Sequence, residues 1–62
     1  MNTKQKLIMV VDDEPEIRNI IKEILIDEGY KTITAASAEE AKSLLLQHKP
    51  DLVFLDIWMP DQ

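Results

Sequence analysis

Two short apolar runs, each ending abruptly in aspartate, constrain the fold of this chain more than any other feature. Residues Leu7–Val11 are all apolar and lead directly into Asp12 and Asp13. Residues Leu52–Leu55 lead in the same way into Asp56. A run of this length without polar alternation is typical of a strand buried on both faces of a parallel sheet. The sequence therefore predicts an α/β protein with acidic residues at the ends of two buried strands.

The segment after the first run has the pattern of an amphipathic helix. Pro15 suits the first turn of a helix, and Asp13 with Glu16 has the spacing of a capping box. Gly29 is expected to end the helix, because glycine readily takes the left-handed conformation that a helix C-terminus needs. Apolar residues recur at helical spacing and predict one core-facing stripe. The stripe consists of Ile17, Ile20, Ile21, Ile24 and Leu25.

A strand and a second helix are predicted between Gly29 and the second aspartate-ending run. Lys31–Ala36 is rich in β-branched residues, which favour a strand. Ser37 and Glu40 form a second capping-box pattern at the start of a helix that carries Ala41 and three leucines. This helix is expected to end at Lys49 and Pro50, because the residue before a proline is pushed out of helical geometry.

The predicted order β-α-β-α-β implies a parallel sheet with right-handed crossovers. If the strand order is 2-1-3, the two helices cover opposite faces. The carboxyl ends of the first and third strands then border one crevice, where ligands bind in such sheets. An order of 1-2-3 would separate the acidic residues, and the residues alone leave both orders open. Asp12, Asp13 and Asp56 share the crevice only in the first case.

Three carboxylates in one crevice repel one another, and a cation relieves that repulsion. Oxygen ligands without histidine or cysteine favour a hard ion, and Mg²⁺ needs few protein carboxylates because it keeps water ligands. A carboxylate can also act as a nucleophile towards phosphorus. The simpler interpretation is that Asp12 and Asp13 cap a helix and that Asp56 is an ordinary loop acid.

Two motifs make the chain similar to a known family. Val10–Pro15 resembles the acidic-pair motif of receiver domains of bacterial two-component response regulators. Leu55–Asp61 resembles their phosphoacceptor motif, and the Gly29-Tyr30 join between helix and strand matches as well. The resemblance implies a flavodoxin-like fold with strand order 2-1-3. It also implies that a histidine kinase is the partner that supplies the phosphoryl group.

The same resemblance assigns the site residues. It implies that Asp56 is the phosphoacceptor and that Asp12 and Asp13 hold Mg²⁺ directly or through water. Asp56 and the backbone carbonyl of Trp58 would complete the metal site. A magnesium-dependent phosphohydrolase is disfavoured, because the residue two positions after Asp56 is Trp58 and not a second acid. The protein is therefore not expected to be an enzyme.

The resemblance covers only part of a receiver domain. Receivers have five strands, so residues 1–62 are expected to be a partial domain that lacks the C-terminal half. The alternative function is a truncated or designed half-receiver that self-associates and has no switching activity of its own. With order 2-1-3 the third strand is an apolar edge, which is a template for pairing with another chain. We therefore expect a homodimer or a symmetric oligomer joined through the third strand.

Composition excludes several other classes. The chain has 12 acidic and 7 basic residues, with a net charge of −5, and the basic residues are scattered. No stripe of positive charge is present to bind nucleic acid directly. The absence of cysteine excludes disulfides and thiolate metal sites. The run Leu7–Val11 is too short for a membrane span or a signal-peptide core, so a cytoplasmic protein without a membrane partner is expected.

Overall fold

The computed structural model describes residues 5–56, with side chains described for residues 5–55. Its elements are β1 (Leu7–Asp12), α1 (Pro15–Asp27), β2 (Lys31–Ala35), α2 (Ala38–Leu45) and β3 (Leu52–Asp56). The strands form one parallel sheet in the order β2-β1-β3. The predicted order 2-1-3 is therefore confirmed, and the order 1-2-3 is excluded.

The first helix begins one residue later than the capping-box pattern predicts. Its N-cap is Glu14, which is extended and makes no side-chain capping bond, and Pro15 is the first helical residue. The prediction that Asp13 and Glu16 form a capping box was wrong. A residue before proline is driven to extended geometry, so Glu14 takes the cap position. The carboxylate of Asp12 accepts a hydrogen bond from the Glu14 N–H, at 2.9 Å.

The end of α1 follows the prediction. Gly29 has a φ of +98°, in the left-handed region. The Gly29 N–H donates to the carbonyl of Ile26 and the Tyr30 N–H donates to the carbonyl of Leu25, both at 3.0 Å. This pair of bonds is a Schellman motif, which satisfies the last carbonyls of the helix and turns the chain into β2.

The second helix has the predicted start and an earlier end. Ser37 Oγ accepts the Glu40 N–H at 3.1 Å, and Glu40 Oε1 accepts the Ala36 N–H at 2.8 Å. The helix stops at Leu45, so the prediction that Lys49-Pro50 ends it was wrong. The N–H groups of residues 46 and 47 bond the carbonyls three residues back. Such bonds tighten and satisfy the last turn before the proline is reached.

The core lies where α2 covers the middle of the sheet. Its buried residues come from β1, β2 and α2, and they are Met9, Val11, Ala35 and Ala41. Side chains alternate along a strand, so Ile8, Val10 and Asp12 belong to the opposite face. Within residues 5–56 both helices contact β1 and β2, and they do not contact each other. The helices therefore cover opposite faces, as predicted.

Much of the predicted apolar stripe on α1 is not buried. Ile20 and Ile24 are 54% and 55% exposed, and only Ile21 and Leu25 of the stripe are half-buried. In this chain the stripe therefore faces the sheet only through Ile21 and Leu25. The reason is that α1 lies over β1 and β2, and within residues 5–56 it makes no contact with β3.

The third strand is an exposed edge. The side chains of residues 52–55 are between 43% and 64% exposed, although all four are apolar. In contrast, Ile8–Val11 of the central strand β1 are buried. Within residues 5–56 the third strand forms an edge of the sheet, as expected. No helix in the described part of the chain is long and apolar enough to cross a lipid bilayer.

Candidate functional site

The parallel register of β1 and β3 places the two aspartate-ending runs side by side. Asp12 and Asp56 are Cα partners at the carboxyl ends of their strands. Neighbouring strands lie about 4.8 Å apart, so the backbones of these two residues are in immediate proximity. Asp13 follows Asp12 directly and its side chain is exposed. The side chain of Asp56 and the backbone carbonyl of Trp58 lie outside the described residues.

A pair of hydrogen bonds joins the opposite ends of the same strands. Asp51 Oδ2 accepts the Leu7 N–H at 2.8 Å, and the Asp51 N–H donates to the Leu7 carbonyl at 2.7 Å. These bonds fix where β3 starts on β1. Because the two strands stay in register from there, Asp56 lies opposite Asp12. Asp51 was not among the residues predicted from the sequence, although it directly precedes a predicted strand.

Asp12 is buried, with 2% of its surface exposed. Its Oδ1 accepts the Glu14 N–H, and its Oδ2 has no hydrogen-bond partner within the described part of the chain. Burying a carboxylate oxygen without a partner costs free energy, so such an atom calls for a ligand. A hard cation is the natural ligand for an anionic oxygen donor. The Asp12 carboxylate therefore fits the role of a magnesium ligand.

Arg18 is the residue of this region that the sequence analysis missed. Its Nη1 donates to the carbonyl oxygen of Asp12 at 2.8 Å, from the second turn of α1. The guanidinium thus lies at the carboxyl end of β1. The signal in the sequence was a single arginine shortly after a run of acidic residues.

The described side chains contain only part of the predicted acidic site. No three His, Cys, Asp or Glu side chains among them are grouped closely enough to hold a metal ion. The side chain of Asp56, the predicted third carboxylate, lies outside the described residues. The metal-site prediction for Asp12, Asp13, Asp56 and Trp58 therefore stays a prediction.

Comparison with known proteins decides the family. The family model described as "Response regulator receiver domain" matches residues 8–62. The chain belongs to the response regulator receiver family. The resemblance drawn from the two motifs is confirmed, and the three-stranded, two-helix architecture is that of the first part of a receiver.

Named relatives of this receiver chain are transcriptional and nitrogen regulators. This chain is 46% identical over 52 residues to the nitrogen assimilation regulatory protein NtrX of Azorhizobium caulinodans. The match covers 84% of this chain and 12% of that protein. The chain is 47% identical over 60 residues to the probable transcriptional regulator ycf27 of Guillardia theta, covering 97% of this chain and 23% of that protein.

A third relative extends the same pattern. The chain is 40% identical over 55 residues to the transcriptional regulatory protein KdpE of Mycobacterium tuberculosis, covering 89% of this chain and 24% of that protein. The receiver chain thus spans a quarter or less of the length of these relatives. No solved structure gives a significant match to it.

Proposed function

We propose that this chain is the phosphoacceptor module of a two-component response regulator, and that Asp56 receives a phosphoryl group from a histidine kinase with the assistance of Mg²⁺. One observation carries the proposal. Asp12 and Asp56 are register partners at the carboxyl edge of the sheet, and Asp12 presents a buried oxygen without a hydrogen-bond partner in residues 5–55. This is the edge where ligands bind in open parallel sheets.

The proposed reaction is a transfer between two nucleophiles. A carboxylate oxygen of Asp56 forms a bond to phosphorus while the bond from phosphorus to the donor nitrogen breaks, which yields an aspartyl phosphate. Positioning and charge stabilisation account for most of the catalysis in such transfers. The N-terminus of α1 follows Asp13 and Glu14, and its N–H groups add positive potential beside the reacting group.

Mg²⁺ would be held by the carboxylates of Asp12, Asp13 and Asp56 and by the backbone carbonyl of Trp58. When bound, it supplies neutralisation of the charge on the phosphoryl oxygens. Asp12 is suited to this role because its Oδ1 is already held by the Glu14 N–H, which leaves Oδ2 oriented and desolvated. Function in signalling, and not enzymatic turnover, is what we propose for the chain.

A second candidate function follows from the exposed third strand. We infer that this receiver chain self-associates through β3. The apolar side chains of residues 52–55 on an edge strand support this, because such edges pair readily with other chains. The two candidates are compatible, since a self-associated chain retains the Asp56 carboxylate.

Labelling with a small phosphodonor tests the proposed function. Incubation with acetyl phosphate and Mg²⁺, followed by intact-mass and peptide mass spectrometry, should add one phosphoryl group at Asp56. Asp56→Asn should abolish the labelling. Asp27→Asn removes an exposed acid at the far end of α1 and should leave labelling unchanged. Labelling that persists in Asp56→Asn, or none in the parent chain, contradicts the proposal.

A further inference from the structure

Three hydrogen bonds close the turn between β1 and α1 into a ring. Asp12 Oδ1 accepts the Glu14 N–H at 2.9 Å, and the Glu14 carbonyl accepts the Arg18 N–H at 2.9 Å. The Arg18 guanidinium then returns to the carbonyl oxygen of Asp12 at 2.8 Å. Arg18 is half-buried, so its position is set by packing as well as by this bond. The ring holds a positive charge at the carboxyl end of β1.

Acidic residues outnumber basic residues around this ring. The segment 10–21 contains four acidic residues and a single basic residue, Arg18. One of the acids, Asp12, is buried with an oxygen that has no partner in the described residues. A desolvated anion is costly unless a cation lies near it. The guanidinium is suited to that task, because it stays charged at every accessible pH and is weakly hydrated.

We propose that Arg18 is the internal counter-ion and positioning residue of the acidic site. Its charge offsets the carboxylates at the carboxyl edge of the sheet when no divalent cation is bound. The same charge repels an incoming cation, so Arg18 stabilises the metal-free fold and weakens the binding of Mg²⁺. The part of this inference that concerns Mg²⁺ rests on the proposed function, whereas the part that concerns the metal-free fold does not.

The first experiment compares two charge-removing variants. Arg18→Gln and Lys22→Gln both change the net charge from −5 to −6 by the loss of one basic residue. Lys22 is also half-buried, lies one turn further along α1 and borders the same surface cleft as Arg18. In EDTA, Arg18→Gln should lower the melting temperature more than Lys22→Gln does.

Calorimetric titration with Mg²⁺ then distinguishes an electrostatic role of Arg18 from a purely structural one. Arg18→Gln should bind Mg²⁺ about three- to tenfold more tightly than the parent, the size expected for one charge near a divalent ion at a protein surface. Arg18→Lys, which keeps the charge, should bind Mg²⁺ as the parent does. Affinity in Arg18→Gln that is unchanged from Lys22→Gln, or weaker, overturns the counter-ion role towards the metal.

The second experiment needs neither metal nor phosphoryl transfer. Arg18→Gln is combined with Asp56→Asn, and urea unfolding is followed in EDTA. If Arg18 offsets the charge of the cluster, the loss of unfolding free energy caused by Arg18→Gln should fall by half or more in the Asp56→Asn background. Asp27→Asn, which removes an acid at the far end of α1, serves as the control background. The loss caused by Arg18→Gln should be the same there as in the parent chain. Equal losses in all three backgrounds overturn the proposal.

The two experiments separate failure of this inference from failure of the proposed function. A chain that is not labelled at Asp56 and does not bind Mg²⁺ can still show the coupling between Arg18 and Asp56. If Arg18→Gln is unfolded without metal, Arg18→Lys takes its place. The proposal requires Arg18→Lys to be folded in EDTA, because it keeps the charge, and an unfolded Arg18→Lys overturns it.

Discussion

At the scale of single residues, Asp12 carries more of the structure than its place in an acidic pair indicates. One of its oxygens fixes the turn into α1, its backbone carbonyl holds Arg18, and its other oxygen has no partner within residues 5–55. Asp13, its neighbour in the sequence, is exposed. The two aspartates are therefore not equivalent, since a carboxylate that is desolvated gains more from a bound cation than one that faces water.

The first prediction concerns that difference. Millimolar Mg²⁺ should raise the melting temperature of the chain, because a ligand that binds only the folded state stabilises it by mass action. At a concentration ten times the Kd the gain is about 1.4 kcal/mol. Asp12→Asn should remove most of the gain, and Asp27→Asn should keep it. Differential scanning fluorimetry provides the measurement, and an unchanged melting temperature up to tens of millimolar contradicts a working site.

The second prediction concerns Asp56 in the absence of metal. Asp56→Asn removes one negative charge beside Asp12, its register partner, so the metal-free fold should be equally stable or more stable. Urea unfolding in EDTA, followed by circular dichroism, gives the free energy of unfolding. Asp51→Asn is the informative comparison, because its carboxylate bonds the Leu7 N–H and its loss should destabilise the chain. A large loss of stability in Asp56→Asn would mean that its carboxylate is structurally bonded.

At the scale of elements, both helices pack on the sheet but bury few side chains fully. Within the described residues α1 buries no side chain fully, and α2 buries only Ala41. Helices of this length are marginal in water without tertiary packing. The Ser37 cap and the Schellman motif at Gly29 therefore matter more than they would in helices with a fully buried stripe.

The third prediction tests the Ser37 cap. Ser37→Ala removes the acceptor of the Glu40 N–H and should cost about 1 kcal/mol of stability. Ser43→Ala makes the same chemical change at an exposed position inside α2 and should be neutral or slightly stabilising, because alanine is the better helix former. Chemical unfolding of both variants measures the difference. Equal effects in the two variants would show that the cap bond contributes nothing.

At the scale of the whole molecule, the sheet is asymmetric. Its central strand β1 is buried, whereas β3 is an edge with exposed apolar side chains that no helix covers within residues 5–56. A core of this size rarely stabilises a domain without disulfides, a structural metal or oligomerisation. Within the described residues, the exposed apolar side chains of β3 make this edge an uncovered apolar region, and α1 adds exposed apolar side chains of its own.

The fourth prediction is that this region is covered by a second copy of the chain. A two-fold dimer covers both copies with one self-complementary patch, so size-exclusion chromatography with light scattering should show a dimer or a higher symmetric oligomer. Val53→Glu or Phe54→Glu should dissociate the assembly and unfold it in one step. Leu46→Glu, an exposed apolar position beyond the end of α2, is the matched control and should leave the assembly intact.

A monomer would contradict this prediction if it stays well folded at high concentration. Sharp and dispersed amide resonances in a two-dimensional NMR spectrum would establish that state. The same spectrum recorded for Val53→Glu decides whether the third strand needs a partner, because an unpartnered edge should tolerate the added charge with little loss of structure.

Local features were enough to predict the elements of this protein. The unbroken run Leu7–Val11 predicted a buried strand, the glycine at position 29 predicted a helix end, and Ser37 with Glu40 predicted a helix start. Each of these signals is set by residues within one or two turns of each other, where sterics and capping act without help from the rest of the chain. The two aspartate motifs likewise identified the family from the sequence.

Only the tertiary structure decided how those elements meet. The strand order 2-1-3, which makes Asp12 and Asp56 partners, depends on which faces the crossover helices cover, and that is a property of packing between distant segments. The same packing decided that Asp12 is buried while Asp13 is exposed, and that Ile20 and Ile24 remain exposed on a stripe whose spacing predicts a core. Helical periodicity gives a helix an apolar face, but burial of that face requires a surface opposite it, and α1 has one only over β1 and β2.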